Sequence, residues 1–156
     1  MIRRLQIGNF KSIRRAELEL GNINLFIGEN GAGKSNILEA IGVISAAVYG
    51  TVDDESLLRR GVRPGVPRLY KTSNQKYKTG PHIYFSVADE SCLYNVSLLN
   101  PLKNPKPKWS FKTERIESDD LEQTYTRGVK KNPNPEIGGV PMILSTLPED
   151  SAVTRF

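Results

Sequence analysis

The chain has 156 residues, a formal net charge of +5, 38% apolar residues and one cysteine. That is the size of a single domain with material for a real core. No run approaches the roughly 18 apolar residues of a membrane span. Met1-Ile2-Arg3-Arg4 leads into a strand, not an apolar signal segment. One Cys92 and one His82 exclude an internal disulfide and a zinc cluster built from this chain alone. These features predict a cytosolic protein in which Cys92 is a small buried apolar residue and not a nucleophile.

In chain order, Ile2 to Phe10 reads as a strand with Leu5 and Ile7 inward, and Ala16, Leu18 and Leu20 alternate with Glu17 and Glu19 as a second, half-exposed strand. Gly21-Asn22 turns the chain into the apolar run Ile23-Asn24-Leu25-Phe26-Ile27, a short buried-strand pattern. Directly after it, Gly28-Glu29-Asn30-Gly31-Ala32-Gly33-Lys34-Ser35 satisfies G-x-x-x-x-G-K-[ST]. In that pattern glycine-permissive backbone turns successive N–H groups around phosphates, the lysine reaches the outer phosphates and the hydroxyl ligates Mg²⁺. Ile37, Ile41, Ile44 and Val48 then recur at helical spacing, predicting a helix from Ser35 to about Tyr49 with Gly50 as its stop.

Two antiparallel strands ahead of the cradle differ from a plain βαβ nucleotide fold and predict a β-layer beside the central sheet. Thr51 to Gly80 carries seven Lys or Arg among Pro and Gly and reads as an irregular basic insertion, with one helical turn at Leu57-Leu58. Strands resume at Ile83 to Val87, Leu93 to Leu99 and Trp109 to Ile116, with Asn100 to Lys108 a Pro/Lys loop. Glu117 to Glu122 is acidic, and Thr124 to Gly139, with its Asn-Pro steps, reads as a loop.

Charge is uneven: residues 59 to 131 hold 15 Lys and Arg against 7 Asp and Glu, whereas the rest of the chain sums to −3. A basic middle with Tyr70 and Tyr77 among its lysines suits nucleic-acid phosphates and bases, but lysines dispersed over three loops and not gathered in one run also suit a solvated loop surface.

The segments Leu5-Gln6-Ile7-Gly8-Asn9-Phe10-Lys11-Ser12-Ile13, Leu18-Glu19-Leu20 and Asn24 through the cradle to Asn36-Ile37-Leu38-Glu39-Ala40-Ile41 together resemble the N-terminus of ABC-type ATPases of the SMC, RecF and OLD group. The resemblance covers about the first 45 residues and rests on an N-F-[KR]-S entry joined to a G-x-N-G-x-G-K-S-N cradle. It implies an α/β P-loop NTPase fold: an ABC-type ATPase lobe over residues 1–156, with residues 51–80 an insertion and residues 123–156 a polar loop and the start of the next lobe.

The resemblance also implies ATP and Mg²⁺ as cofactors. Lys34 would act on the β- and γ-phosphates, and Ser35 would bind Mg²⁺. The backbone of Glu29, Asn30, Gly31, Ala32, Gly33, Lys34, Ser35 and Asn36 would line the phosphates. Lys11 stands where the family places a basic residue close to the nucleotide, and its other reading is an exposed loop lysine. Asn36 could instead cap the helix or face solvent, and Phe10 reads as a core plug rather than an adenine platform.

The family's remaining elements are weak or missing. Ile83 to Glu90 has an apolar run before Asp89-Glu90, but it alternates like a half-exposed strand where a Walker B segment is continuously apolar. Ile137-Gly138-Gly139-Val140 lacks the Ser of a signature segment, and Gln123 stands in order, with nothing local in support, for the Mg²⁺-directed glutamine.

The expectation is an N-terminal part of a head completed elsewhere, binding ATP with negligible turnover by itself. In the assembled protein, ATP would be sandwiched between two heads, in DNA repair or defence against phage. A non-enzymatic nucleotide-gated module and, more remotely, a membrane-transport ATPase are the other readings.

Overall fold

The computed structural model describes residues 1–73 and 79–118, and the backbone alone of residues 125–128. Six strands form one antiparallel sheet: β1 Arg4–Phe10, β2 Ile13–Glu19, β3 His82–Ala88, β4 Cys92–Leu99, β5 Ser110–Ser118 and β6 Tyr125–Gly128, in the order β2-β1-β3-β4-β5-β6. Helix α1, Lys34–Val48, and the short α2, Asp54–Leu58, lie between β2 and β3 in sequence.

Alternation decides which face is buried. Leu5 and Ile7 on β1, Ile83, Phe85 and Val87 on β3, and Tyr94, Val96 and Leu98 on β4 are all at most 1% exposed, because side chains two apart share one face of a strand. Ala40, Val43, Ile44, Ala47 and Val48 of α1 join the same core. Phe10 plugs its centre, edge-on to Phe85 with ring centroids 5.4 Å apart, and Cys92 is buried as a small apolar residue.

β1 and β2 form a hairpin with Phe10 opposite Ile13, leaving Lys11-Ser12 as a two-residue turn. Such turns need positive φ, and Lys11 supplies it at φ +48°. Beyond Gly8↔Tyr84, β1 leaves β3 and takes the segment around Lys71 as its neighbour. The Lys11 N–H donates to the Tyr70 carbonyl, and the Thr72 N–H donates to the Asn9 carbonyl.

The predicted insertion is therefore built onto the core. Val52, Leu57, Val62 and Tyr70 are buried, and residues 67–70 form a 3-10 turn. Asp53 caps α2 in a capping box with Ser56. The irregular reading missed this packing because the buried residues there are single and widely spaced, a pattern with no helical or strand period.

Three further expectations are corrected. Ile23–Ile27 is not a strand: it pairs with nothing among the described residues, and Ile23, Leu25 and Ile27 are 92%, 81% and 86% exposed. The sheet that is present is the antiparallel one, and the central sheet in which that run would sit is not formed by the described residues. Tyr125–Gly128, assigned to a loop, pairs with β5, while residues 129–156, with the paired glycines at 138 and 139, and Gln123 lie outside the described residues. The helix ends as expected, with the Gly50 N–H donating to the Ala47 carbonyl at φ +76°.

Candidate nucleotide site

Gly28 to Gly33 crosses from the exposed run into α1 as a glycine-permitted turn: Gly31 and Gly33 have φ of +87° and +98°, which any side chain would strain. A Cβ on Gly33 would also meet the Ser12 hydroxyl at 3.0 Å. Gly33 caps α1 without a side-chain hydrogen bond, and the first turn of α1 holds no acidic residue. The first N–H groups of a helix have no intrahelical acceptor, and here the positive end of the helix dipole is left uncompensated. That end is suited to an anion.

The Lys34 ammonium reaches back over this turn, donating to the carbonyls of Gly28 and Glu29 at 2.7 Å each. The Ala32 N–H also donates to the Glu29 carbonyl. Ser35 is exposed at the start of α1, Asn30 and Gly31 are exposed at the turn, and Asn36 is half-buried. Asn36 neither caps the helix nor faces solvent alone: its amide donates to the Ser12 hydroxyl at 2.8 Å. The residues fit a phosphate and a hydroxyl-liganded cation: a glycine-permitted turn at a helix N-terminus, an ammonium lying over that turn, and an exposed hydroxyl one residue on.

Lys11 is no exposed loop lysine. Its side chain is 13% exposed, its ammonium donates to Glu39, and it stands 5.1 Å above the Tyr70 ring. Glu39 is buried at 6% side-chain exposure and also accepts from Arg63 Nε at 2.5 Å. Arg63 Nη2 reaches toward Asn36 Oδ1 at 3.5 Å.

Of these, Lys11 and Arg63 border a cleft of about 620 Å³, lined also by Ser12, Arg68, Tyr70 and Lys71 among others. Tyr70 donates its hydroxyl to the Arg63 carbonyl. Burial, with the charges of Asp54 and Glu39, pushes its pKa up to about 12, so it remains a neutral donor. Lys71 is buried, donates to the Asn100 carbonyl and lies 5.4 Å over Trp109; burial pulls its pKa down.

Asp89 and Glu90 are engaged elsewhere. Asp89 accepts the N–H groups of Ser91 and Cys92 in the β3–β4 turn, and Glu90 pairs with Arg3 at 2.7 Å on the surface. Their run ends an antiparallel sheet strand in which Tyr84 alone is exposed, and no group of three metal-binding side chains occurs among the described residues.

The sequence pattern names the residues of the Gly28–Ser35 turn but not Glu39, Arg63 or Ser12, which the structure brings beside it. A signal for Glu39 was present: it stands four residues after Ser35, on the same face of α1. Arg63 had none, because its place depends on how the segment after α2 packs back onto α1.

Comparison with known proteins gives a family and partial relatives. The family described as AAA domain matches residues 4–144. A DNA replication and repair protein RecF of Clavibacter michiganensis subsp. michiganensis is 37% identical over 70 residues, covering 44% of this chain and 17% of the relative. The RecF of Teredinibacter turnerae is 51% identical over 45 residues, 28% of this chain and 12% of the relative. A DNA double-strand break repair Rad50 ATPase of Saccharolobus solfataricus is 35% identical over 78 residues, 49% of this chain and 9% of the relative. The chain thus matches less than a fifth of the length of each of these relatives. No solved structure matches. The similarity to SMC/RecF-like ABC-type P-loop ATPases read from the first 45 residues is borne out.

Proposed function

The chain belongs to the AAA domain family, and from that premise we propose that it is the ATP-binding portion of an SMC/RecF-like ATPase that works on DNA in the cytoplasm, in repair or in defence against phage. The observation that carries this reading is the Lys34 ammonium lying across the Gly28 and Glu29 carbonyls at an uncompensated helix N-terminus. A bound ATP with Mg²⁺ supplies the phosphoanhydride. With both bound, Lys34 would give up its two carbonyl acceptors for outer phosphate oxygens, the glycine-permitted backbone of residues 30–36 would line the phosphates, and the Ser35 hydroxyl would be the group to hold the metal. The cations of the adjoining cleft extend the anion-attracting surface beyond the cradle.

Hydrolysis is assigned to groups outside the described residues. Asp89 and Glu90 are tied into a hairpin turn and an ion pair, and phosphoryl transfer needs several positioned charges at once. The exposed Ile23, Leu25 and Ile27 support the same division. An apolar run beside the cradle calls for neighbouring strands, from the other part of the head or from another chain. In the complete assembly two heads would enclose ATP between them, each completing the other's site. The engagement of Asp89 and Glu90 also favours, as a second reading, a nucleotide-gated interaction module without turnover.

Calorimetric titration with ATP in the presence of Mg²⁺ tests the proposal: binding that disappears with Lys34→Ala supports it, and binding indifferent to that change overturns it. Steady-state turnover is expected below several per minute. DNA affinity is expected to fall steeply between low and moderate salt, as counterion release requires, and to be steeper with ATP present. A salt-independent affinity would remove DNA from the proposal.

A further inference from the structure

The geometry points to Glu39 as a positioning residue of the nucleotide site, one that holds Lys11 and Arg63, from two separate loops, at the cleft beside the cradle. The inference rests on the reading of Gly28 to Ser35 as an ATP site, and extends it to a residue the cradle pattern does not include.

Glu39 lies one helical turn beyond Ser35, on the same face of α1, so its carboxylate is fixed relative to the cradle by the helix itself. The side chain is only 6% exposed, and both of its oxygens are used: one accepts from Lys11, the other from Arg63 Nε at 2.5 Å. Arg63 continues to Asn36 Oδ1 at 3.5 Å, and the Asn36 amide donates to Ser12 Oγ at 2.8 Å. Ser12 adjoins Lys11 in the β1–β2 turn. The contacts therefore close a ring around the first two turns of α1.

Two features separate this ring from an ordinary structural ion pair. One buried carboxylate carries two cations, leaving a net positive charge facing the cleft. Arg63 is held by Glu39 at Nε and reaches Asn36 with Nη2 only at 3.5 Å, yet its side chain stays 69% exposed, tethered but open to an anion. Lys11, moreover, stands in the left-handed region at φ +48° in the β1–β2 turn, with its N–H given to the Tyr70 carbonyl and its ammonium to Glu39. Backbone strain at a non-glycine residue persists where the surroundings over-determine it. Without the Glu39 charge, solvent is the better place for both cations, and both leave the cleft.

The test is a set of ATP·Mg²⁺ titrations on the full chain: wild type, Glu39→Gln, Glu39→Asp, the double variant Lys11→Met with Arg63→Gln, and that double variant with either Glu39→Gln or Glu39→Asp added, each with a melting curve. Glu39→Gln is expected to weaken binding about tenfold, with Glu39→Asp between it and wild type, because the shorter carboxylate keeps its charge but cannot reach both cations. In the background lacking Lys11 and Arg63, Glu39→Gln is expected to change binding by less than about twofold.

An equal loss in both backgrounds, or no loss from Glu39→Gln where wild type binds, overturns the inference. Should Glu39→Gln not fold, Glu39→Asp decides by the same comparison: a loss confined to the background that retains Lys11 and Arg63 supports the inference, and any other pattern overturns it. Failure of the underlying site is seen separately, as wild type that does not bind ATP or a Lys34→Ala variant that binds it as well as wild type, and this overturns the inference as well.

Discussion

Gly42 lies so close to Val62 that a Cβ added to the glycine would stand 2.6 Å from Val62 Cγ2, and 2.9 Å from the Arg60 carbonyl. This contact seats residues 60–62 on α1, with Arg60 Nε donating to the Ser45 hydroxyl at 2.9 Å. Gly42→Ala is expected to destabilise the chain by about 1–3 kcal/mol through overpacking, in spite of alanine's better helix propensity. Val62→Ala in the same chain is expected to recover part of the loss, though not the clash with the Arg60 backbone. Denaturant unfolding of the two single variants and the double variant measures this coupling.

Lys34 spends its hydrogen bonds on carbonyls of an exposed turn. Lys34→Ala is therefore expected to shift stability by no more than about 0.5 kcal/mol while removing ATP binding. Thermal melting beside the ATP titration separates the two; a large drop in melting temperature would mean the lysine supports the fold.

The apolar run beside the cradle is outside the core. Leu25→Glu and Ile27→Glu are each expected to alter unfolding by about 0.5 kcal/mol or less, whereas Leu5→Ala is expected to cost about 2–5 kcal/mol. Both glutamates should also reduce any self-association of the isolated chain, read by light scattering. Destabilisation of comparable size at Leu25 and Leu5 would place the run in the core after all.

His82 stands at the start of β3 with a buried Nε2 that has no partner among the described residues. Burial, with Lys112 and Lys71 nearby, pulls its pKa below the ordinary 6.5. The unfolded chain then binds the proton first as pH falls, so stability is full above about pH 6.5 and declines below it, by at most about 1.4 kcal/mol per pH unit. His82→Gln is expected to flatten that slope in unfolding experiments between pH 7 and pH 5. An unchanged slope would assign the acid sensitivity to other groups.

Phe10 is fully buried between Phe85 and Tyr70, 5.4 and 6.4 Å away by ring centroids. Phe10→Ala is expected to cost about 3–5 kcal/mol. Because Phe10 precedes Lys11 and pairs with Lys71, the cleft should loosen with it, and ATP affinity should fall even where the variant remains folded.

Some of this molecule follows from the sequence alone. The cradle does, because its chemistry is contiguous: glycines at the positive-φ positions, a lysine and a hydroxyl at fixed spacing, and a helix immediately after. The strands β1, β3, β4 and β5 follow as well, since alternation is a local record of which side each residue faces.

Tertiary structure decided the rest. Whether Ile23 to Ile27 is a strand depends on a hydrogen-bonded neighbour, and an apolar run cannot specify its own partner. Lys11, Glu39 and Arg63 are separated by 28 and 24 residues, and their meeting depends on the return of the segment after α2 onto Gly42 of α1. A long-range ion cluster has no sequence period, so only the packed chain brings its charges within reach of one another.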